Sequence, residues 1–413
     1  MNGYDENNKE KGFVMIESLL FYTALYIMLF ASVFWFTVFF TTKKPVQKSF
    51  VRPITIIVPT YNKADFIRQC IGSLLSQKMA NGVYYPLKVL VVDDGSIDNT
   101  EQIVKEIKDN RISYVKKKNG GKSSAVNYGL KFVKTEYFGF IDSDTCLSEN
   151  AIESMMKHFP EADCVTAAIK PLKAYNAVEK LQKIEYVIAS FTRKLMANIN
   201  ALYYTPAFAL YKTHIIKNLG GFDEKNITED LEIGLRLQKY GYKISNSIDD
   251  FAYRIVPKNF RELFNQRMRW YRGYIHNTYK YKNMFFSRKH SSLGMFVLPL
   301  QYIILALTIP LLMLSAYDIG LSVFRQVVDI FIVDFDFTYI ASISKVSFIT
   351  STTLFWILLL SAFFLMIKFS QKHVHENISK IDYIIYLLVY PFINIILWIC
   401  AFVLEILGTE RKW

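Results

Sequence analysis

Four runs without a single charged residue constrain this chain more than any other feature; they cover residues 18–42, 291–317, 346–367 and 383–404. A helix needs about 20 apolar residues to cross a bilayer, so each run is long enough. Each also holds aromatic residues of the kind that settle at membrane interfaces. The first run is too long for the core of a signal peptide, and no small-residue cleavage site follows it. It reads as an anchor. Between the first two runs lies ordinary globular sequence. The chain thus divides into a tail (1–17), a first span (18–42), a functional domain (43–255), interfacial helices (256–290) and a membrane region (291–413).

Composition agrees with this division. Hydrophobic residues make up 52% of the chain, yet charged residues still reach 21%, so the apolar surplus is concentrated in segments. The net charge of +13 suits either nucleic acid or an anionic membrane surface. Position decides for the membrane and against nucleic acid. Lys43, Lys44, Lys48 and Arg52 follow the first run, and residues 254–289 hold ten Lys/Arg against Glu262 alone. Basic flanks place the domain in the cytoplasm. Asp318, Asp329, Asp334 and Asp336 fall between the second and third runs, which suits the opposite face. One difficulty remains. Three crossings after a cytoplasmic domain leave Arg411 and Lys412 outside, so one run is re-entrant or is not a span. Cys70, Cys146, Cys164 and Cys400 form no CxxC pair and suggest neither a disulfide framework nor a zinc site.

Within the domain, strand and helix patterns alternate. Short β-branched runs at 54–59, 88–92, 112–115 and 137–141 are separated by helical spacing at 64–77, 99–108 and 123–133. Such alternation predicts a parallel α/β sheet covered on both faces. Ligands in these sheets bind outside the carboxyl ends of the strands. Polar residues gather there. The first strand ends in Pro59-Thr60-Tyr61-Asn62, the second in Asp93-Asp94-Gly95-Ser96, and the fourth in Asp142-Ser143-Asp144. Converging carboxylates repel unless a cation or a donor-rich ligand sits among them. A hard divalent ion completed by substrate phosphates fits. Each motif also has a plainer explanation. Asp-Asp-Gly-Ser suits a turn, and a lone DxD is weak, since Asp334-Phe335-Asp336 repeats it without a strand to support it.

Two further motifs follow. Thr228-Glu229-Asp230 opens an amphipathic helix over 231–240 and, standing alone, would read as a helix cap. Gln266-Arg267-Met268-Arg269-Trp270 lies in a helix from 260 to about 280, which alone would read as a basic interfacial helix. The Q-x-x-R-W pattern is the most specific signal in the chain.

The ordered set PTYN, DDGS, GK, DSD, TED and QxxRW resembles family 2 glycosyltransferases of the GT-A fold over residues 53–270. It is most similar to their membrane branch, the hyaluronan, chitin, cellulose and poly-N-acetylglucosamine synthases. The resemblance implies that Thr60 and Asn62 line a nucleotide pocket and that Asp93 and Asp94 hold uracil and ribose. It implies that Lys122 approaches the donor and that Asp144, helped by Asp142, binds Mg²⁺ or Mn²⁺ on the diphosphate. By the same resemblance Asp230 is the general base, Gln266 and Arg269 contact the diphosphate, and Trp270 meets the acceptor sugar. The sequence departs from the family at Lys63, where Glu is common, and at Thr205-Pro206-Ala207-Phe208, where a run of small residues is common.

The implied reaction is inverting transfer from a nucleotide-sugar, with UDP-GlcNAc the first choice, to a growing polysaccharide. A single carboxylate base without a second as nucleophile implies direct displacement. The alternative acceptor is a lipid or a lipid-linked sugar. So few spans leave room for an accessory membrane subunit. A scaffold that kept only the fold would not retain Asp144, Asp230, Gln266, Arg269 and Trp270 together. A transporter would show charged residues within its spans.

Overall fold

The structure is a computed structural model that describes residues 2–41, 49–332 and 351–410. Lys43, Lys44, Lys48, Asp334, Asp336, Arg411 and Lys412 lie outside the described residues, as does the start of the run at 346–367. The chain forms two compact units, 1–41 with 296–366 and 42–295 with 367–413.

In the first unit, α1 (Asn2–Thr41) packs on α10 (Leu298–Ile332), and Phe34 meets Phe296, just before α10, at 4.0 Å between ring centroids. The helix α11 (Ser351–Val374) begins in this unit and ends in the second.

The second unit holds an eight-stranded sheet in the order β3-β2-β1-β4-β7-β6-β8-β5. The strands are β1 (Ile54–Thr60), β2 (Leu87–Asp93), β3 (Ile112–Lys116), β4 (Tyr137–Ile141), β5 (Thr145–Leu147), β6 (Cys164–Pro171), β7 (Phe208–Lys212) and β8 (Ile244–Arg254). Its helices are α2 (Ala64–Leu75), α3 (Thr100–Glu106), α4 (Lys122–Leu130), α5 (Ala151–Met156), α6 (Ala177–Asn198), α7 (Thr213–Asn218), α8 (Glu229–Lys239), α9 (Phe260–Lys280) and α12 (Lys380–Ile406).

Every residue of β1 is buried, which explains its continuous apolar run. Ile54, Ile56 and Val58 face one side and pack with Ile67, Cys70, Ile71 and Leu74 of α2. The four strands anticipated from the alternation are parallel, as expected. Beyond β4 the sheet is mixed, because β7 runs antiparallel to both β4 and β6. After β6 the chain passes through α6 and returns over residues 199–207 to the end of the sheet where β6 finished. So β7 begins, rather than ends, at the edge that collects polar residues, with Phe208 beside Ile141. Local alternation could not reveal this return. Among the described residues three helices are long and apolar enough to cross a membrane, over Leu19–Thr41, Leu293–Leu311 and Lys380–Ile406.

Candidate active site

The two leading strand ends are tied to each other before any ligand arrives. Thr60 and Asp93 are register partners on β1 and β2. Asn62 adopts φ 51°, which Asn tolerates better than most side chains. There its backbone N–H donates to Ser96 Oγ at 2.9 Å, while its own Oδ1 accepts from the Ile97 N–H at 3.0 Å. Asp93 is fully buried and accepts from the Ser96 N–H at 2.7 Å and from the Tyr114 hydroxyl at 2.6 Å. Its carboxylate braces the turn and does not line the cleft. Asp94 does line it. It accepts from the backbone N–H of Gly120 and Gly121 and pairs with Lys117 Nζ at 2.6 Å. Gly121 has φ +89°, a conformation glycine adopts without strain.

These residues open onto a cleft of about 490 Å³. Its floor holds an ionic chain. Lys122, at the first turn of α4, places Nζ 2.5 Å from Asp142 Oδ1 and 2.7 Å from Glu229 Oε1. Arg254, at the end of β8, reaches Asp142 Oδ2 at 3.5 Å. Burial opposes ionisation of Asp142, but Lys122 and Arg254 hold its carboxyl below the usual carboxylate range. Both Asp142 oxygens thus face cations, so Asp142 is not an open metal ligand here. Asp144 differs. Its Oδ2 lies 3.3 Å from Lys63 Nζ, while its buried Oδ1 has neither a hydrogen bond nor, unlike Asp142 Oδ1, an ion pair among the described residues. Among the described residues no three His, Cys, Asp or Glu converge as a complete metal cage. A metal bound here would need substrate oxygens, which is how Mg²⁺-type sites on phosphate substrates are commonly completed.

Asp230 sits in the first turn of α8 and lines the same cleft. Its Oδ1 accepts from the Leu231 N–H at 2.8 Å. Burial, and then the neighbouring Glu229 charge, push its carboxyl above the ordinary value. The helix-cap explanation of Thr228-Glu229-Asp230 fails on geometry. Thr228 is the residue before α8, but its side chain makes no capping bond; its Oγ1 instead accepts from Asn277 Nδ2 at 2.9 Å. Glu229 is also buried, and its carboxylate is spent on Lys122.

The helix α9 brings in the last set. Arg269 and Trp270 line the cleft; Gln266 does not, and accepts from Arg267 Nη1 at 2.6 Å. Trp270 packs against Ile169, Tyr186, Ala207 and Val256, with the Arg267 guanidinium 4.2 Å from its ring centroid. Gly273 lets α9 approach α8. A Cβ there would stand 2.4 Å from the Thr228 side chain. A basic interfacial helix would turn its arginines outward, but two arginines of α9 turn inward. Arg267 is fully buried and paired with Glu185, and Arg272 is buried and paired with Glu405 at 2.6 Å. Arg261, at the start of α9, is exposed.

The motifs gave no role to the cleft residues Glu229, Arg254 and Tyr61. Glu229 was visible inside its own motif, because two adjacent acids at a buried helix start need a cation. Arg254 lies in no motif, and the pairing of β8 with β6 and with β5, where Thr145 is its register partner, carries it here.

Residues 55–220 match the family model "Glycosyl transferase family 2". This chain carries a family 2 glycosyltransferase domain. The domain is similar to that of the poly-β-1,6-N-acetyl-D-glucosamine synthase of Staphylococcus epidermidis, 29% identical over 60% of this chain and 64% of that protein. The synthase of the same description from Staphylococcus aureus MSSA476 is 28% identical, over 60% and 64%. These matches span less than two thirds of either relative. Among solved structures, the mannosyltransferase PcManGT of Pyrobaculum calidifontis, in complex with GDP-Man and Mn²⁺, superposes with a TM-score of 0.55. It covers 75% of this chain and 91% of its own at 20% identity, which makes the glycosyltransferase domain a GT-A fold.

Proposed function

We propose that this glycosyltransferase domain takes a sugar from a UDP-sugar, with UDP-GlcNAc the first choice, and adds it with inversion to a growing polysaccharide. The observation that carries the reading is one cleft gathering Asp94, Asp144, Asp230, Arg269 and Trp270 from four separate parts of the sequence. Likeness to the staphylococcal synthases supports GlcNAc as the sugar and a polysaccharide as the product.

The residues divide the work by charge. Nine acidic or basic side chains line the cleft: Asp94, Asp142, Asp144, Glu229 and Asp230 against Lys63, Lys122, Arg254 and Arg269. That balance is one negative charge before a diphosphate enters. A divalent ion, Mg²⁺ or Mn²⁺, held by Asp144 would supply the missing positive charge on the leaving diphosphate. Arg269 supplies a fixed guanidinium for the same charge as it grows. Asp142 holds Lys122 and Arg254 in place. Thr60 and Asp94 meet the nucleotide end, and the braced turn of Asn62 and Asp93 fixes Asp94. Asp230 takes the proton from the acceptor hydroxyl, and its raised pKa suits a base working near neutral pH. Trp270 offers its indole face to the acceptor sugar. Gln266 keeps its Nε2 as the donor for the diphosphate, because only its Oε1 is engaged by Arg267 in that pair.

We place the domain on the cytoplasmic face of a membrane, in a multi-pass chain, because both its sequence flanks are basic. The test is product size. Membranes holding the full chain are incubated with radiolabelled UDP-GlcNAc and, in parallel, with other nucleotide-sugars. Labelled polymer from UDP-GlcNAc is expected. A product of one sugar on lipid would overturn the polysaccharide reading and leave a single-addition transferase. No incorporation from any donor would overturn transfer itself.

A further inference from the structure

By length and composition α12 is a membrane span, with 27 residues and mean hydropathy 2.5. Its contacts say otherwise. Near its amino end, Asp382 pairs with Lys180 of α6 at 3.6 Å, and Tyr383, Tyr386 and Tyr390 pack around Ile184 of α6. Half-way along, Trp398 stacks on Tyr271 of α9 at 4.2 Å and 4°, and Asn394 accepts from the Tyr271 hydroxyl. Further on, Leu397 and Ala401 pack on Met268. At the far end, Glu405 pairs with Arg272 of α9 at 2.6 Å, and Arg272 also donates to the Glu410 carbonyl at 3.1 Å. The catalytic unit therefore holds this helix at both ends and at its middle.

Asp382 and Glu405 stand about 35 Å apart along the helix axis, at 1.5 Å per residue. The hydrocarbon core is about 30 Å thick. If α12 crossed it, one of the two ion pairs would lie beyond the bilayer, and α9 would have to follow. That helix carries Arg261, Arg267, Arg269, Arg272 and Lys280, and it presents Arg269 to a polar cleft. Charged side chains at this density do not cross lipid. Yet the face of α12 turned away from α6 and α9 is apolar and exposed, at Ile384, Leu388, Phe392, Ile396 and Val403. An apolar stripe of that length needs cover.

We propose that α12 lies flat between the catalytic unit and the facing lipid leaflet, its outer stripe sunk into the headgroup–acyl boundary, and does not cross the membrane. This rests on the membrane reading given above. Helices lying in this plane bury an apolar face about 5–10 Å deep. The proposal removes the topological difficulty. With α12 in the plane, the remaining runs at 18–42, 291–317 and 346–367 return the chain to the catalytic side. The residues after α12 then start on that side, the face that basic sequence favours. It also puts lipid one helix layer from the cleft, since Leu397 and Ala401 press on Met268, next to Arg269 and Trp270.

Two measurements on the full chain test this. An epitope tag after Trp413 and another inserted at Asn81–Gly82 in the catalytic unit are probed with protease on inside-out and right-side-out vesicles. Cleavage of both tags from the same side is expected. Cleavage from opposite sides in a membrane-integral protein overturns the flat helix and leaves the membrane reading intact. Release of the whole protein by alkaline carbonate overturns both. Spin labels at Ile384→Cys, Phe392→Cys and Val403→Cys, in a cysteine-free background that keeps transferase activity, should report one shallow depth. A deep maximum at Phe392→Cys flanked by shallow ends overturns the proposal.

Discussion

Asp230→Asn separates a catalytic carboxylate from a structural one by the sign of two changes. The substitution keeps the size of the side chain and the Oδ1 that accepts from the Leu231 N–H at 2.8 Å, so α8 retains its local contact. It removes a charge that burial and then Glu229 both disfavour. The folded-state pKa of Asp230 lies above the value of about 3.9 that an unfolded chain shows. The native state therefore binds this proton more tightly than the unfolded chain, and stability falls as pH rises through that window. Once Asp230 is ionised the penalty is present in the wild type and absent from the variant. Asp230→Asn should thus raise the melting temperature in detergent at pH 7. The same change should lower kcat by about 100-fold to 10,000-fold, the usual range for losing a general base. That equals about 2.7–5.5 kcal/mol in the barrier. Donor affinity should hold, because Thr60 and Asp94 line the cleft beside other strand ends. The assay pairs initial rates at saturating labelled donor with thermal unfolding and donor titration. A folded variant with near wild-type transfer and a lower melting temperature would refute the reasoning and return Asp230 to a structural role.

Three further outcomes follow from the same cleft. Chelation with EDTA should stop transfer and Mg²⁺ or Mn²⁺ should restore it, while Asp334→Asn and Asp336→Asn leave metal dependence unchanged; full activity in metal-free membranes would sink the role given to Asp144. Glu229→Gln should move the acid limb of kcat/KM to lower pH, because the neighbouring charge that helps raise the Asp230 pKa is gone; an unmoved limb means that another group titrates. Trp270→Ala should lower the rate and shorten products, Trp270→Phe should do so less, and equal effects from both would remove sugar stacking as the cause.

The strand ends were legible because each rests on a local pattern. An apolar β-branched run, a polar turn and an amphipathic helix can all be read within about fifteen residues. The same window shows Asp142 and Asp144 together but cannot tell them apart. Their difference comes from partners far along the chain. Lys122 and Arg254 close on Asp142, while Asp144 keeps one buried oxygen open. Thr228 is a similar case, since its capping position is local but its actual partner, Asn277, lies on another helix. Q-x-x-R-W was read as one motif, and the fold splits it. Arg269 and Trp270 enter the cleft, Gln266 stays outside, and Arg267 turns inward to Glu185.

The last apolar run shows a different limit. Hydropathy measures how readily a helix leaves water, and α12 meets that condition as well as any span. It carries no information about direction. Direction is set by what the helix ends are tied to, and here that information sits in four charged residues, Lys180, Asp382, Arg272 and Glu405. Two of them lie on the catalytic unit, so no window along α12 contains them. The basic tail at Arg411 and Lys412 was the one sequence clue, since it made an odd number of later crossings awkward. Charge beyond an apolar run thus constrained topology more tightly than the run itself. An apolar run decides whether a helix meets lipid, and the charges flanking it decide whether it passes through.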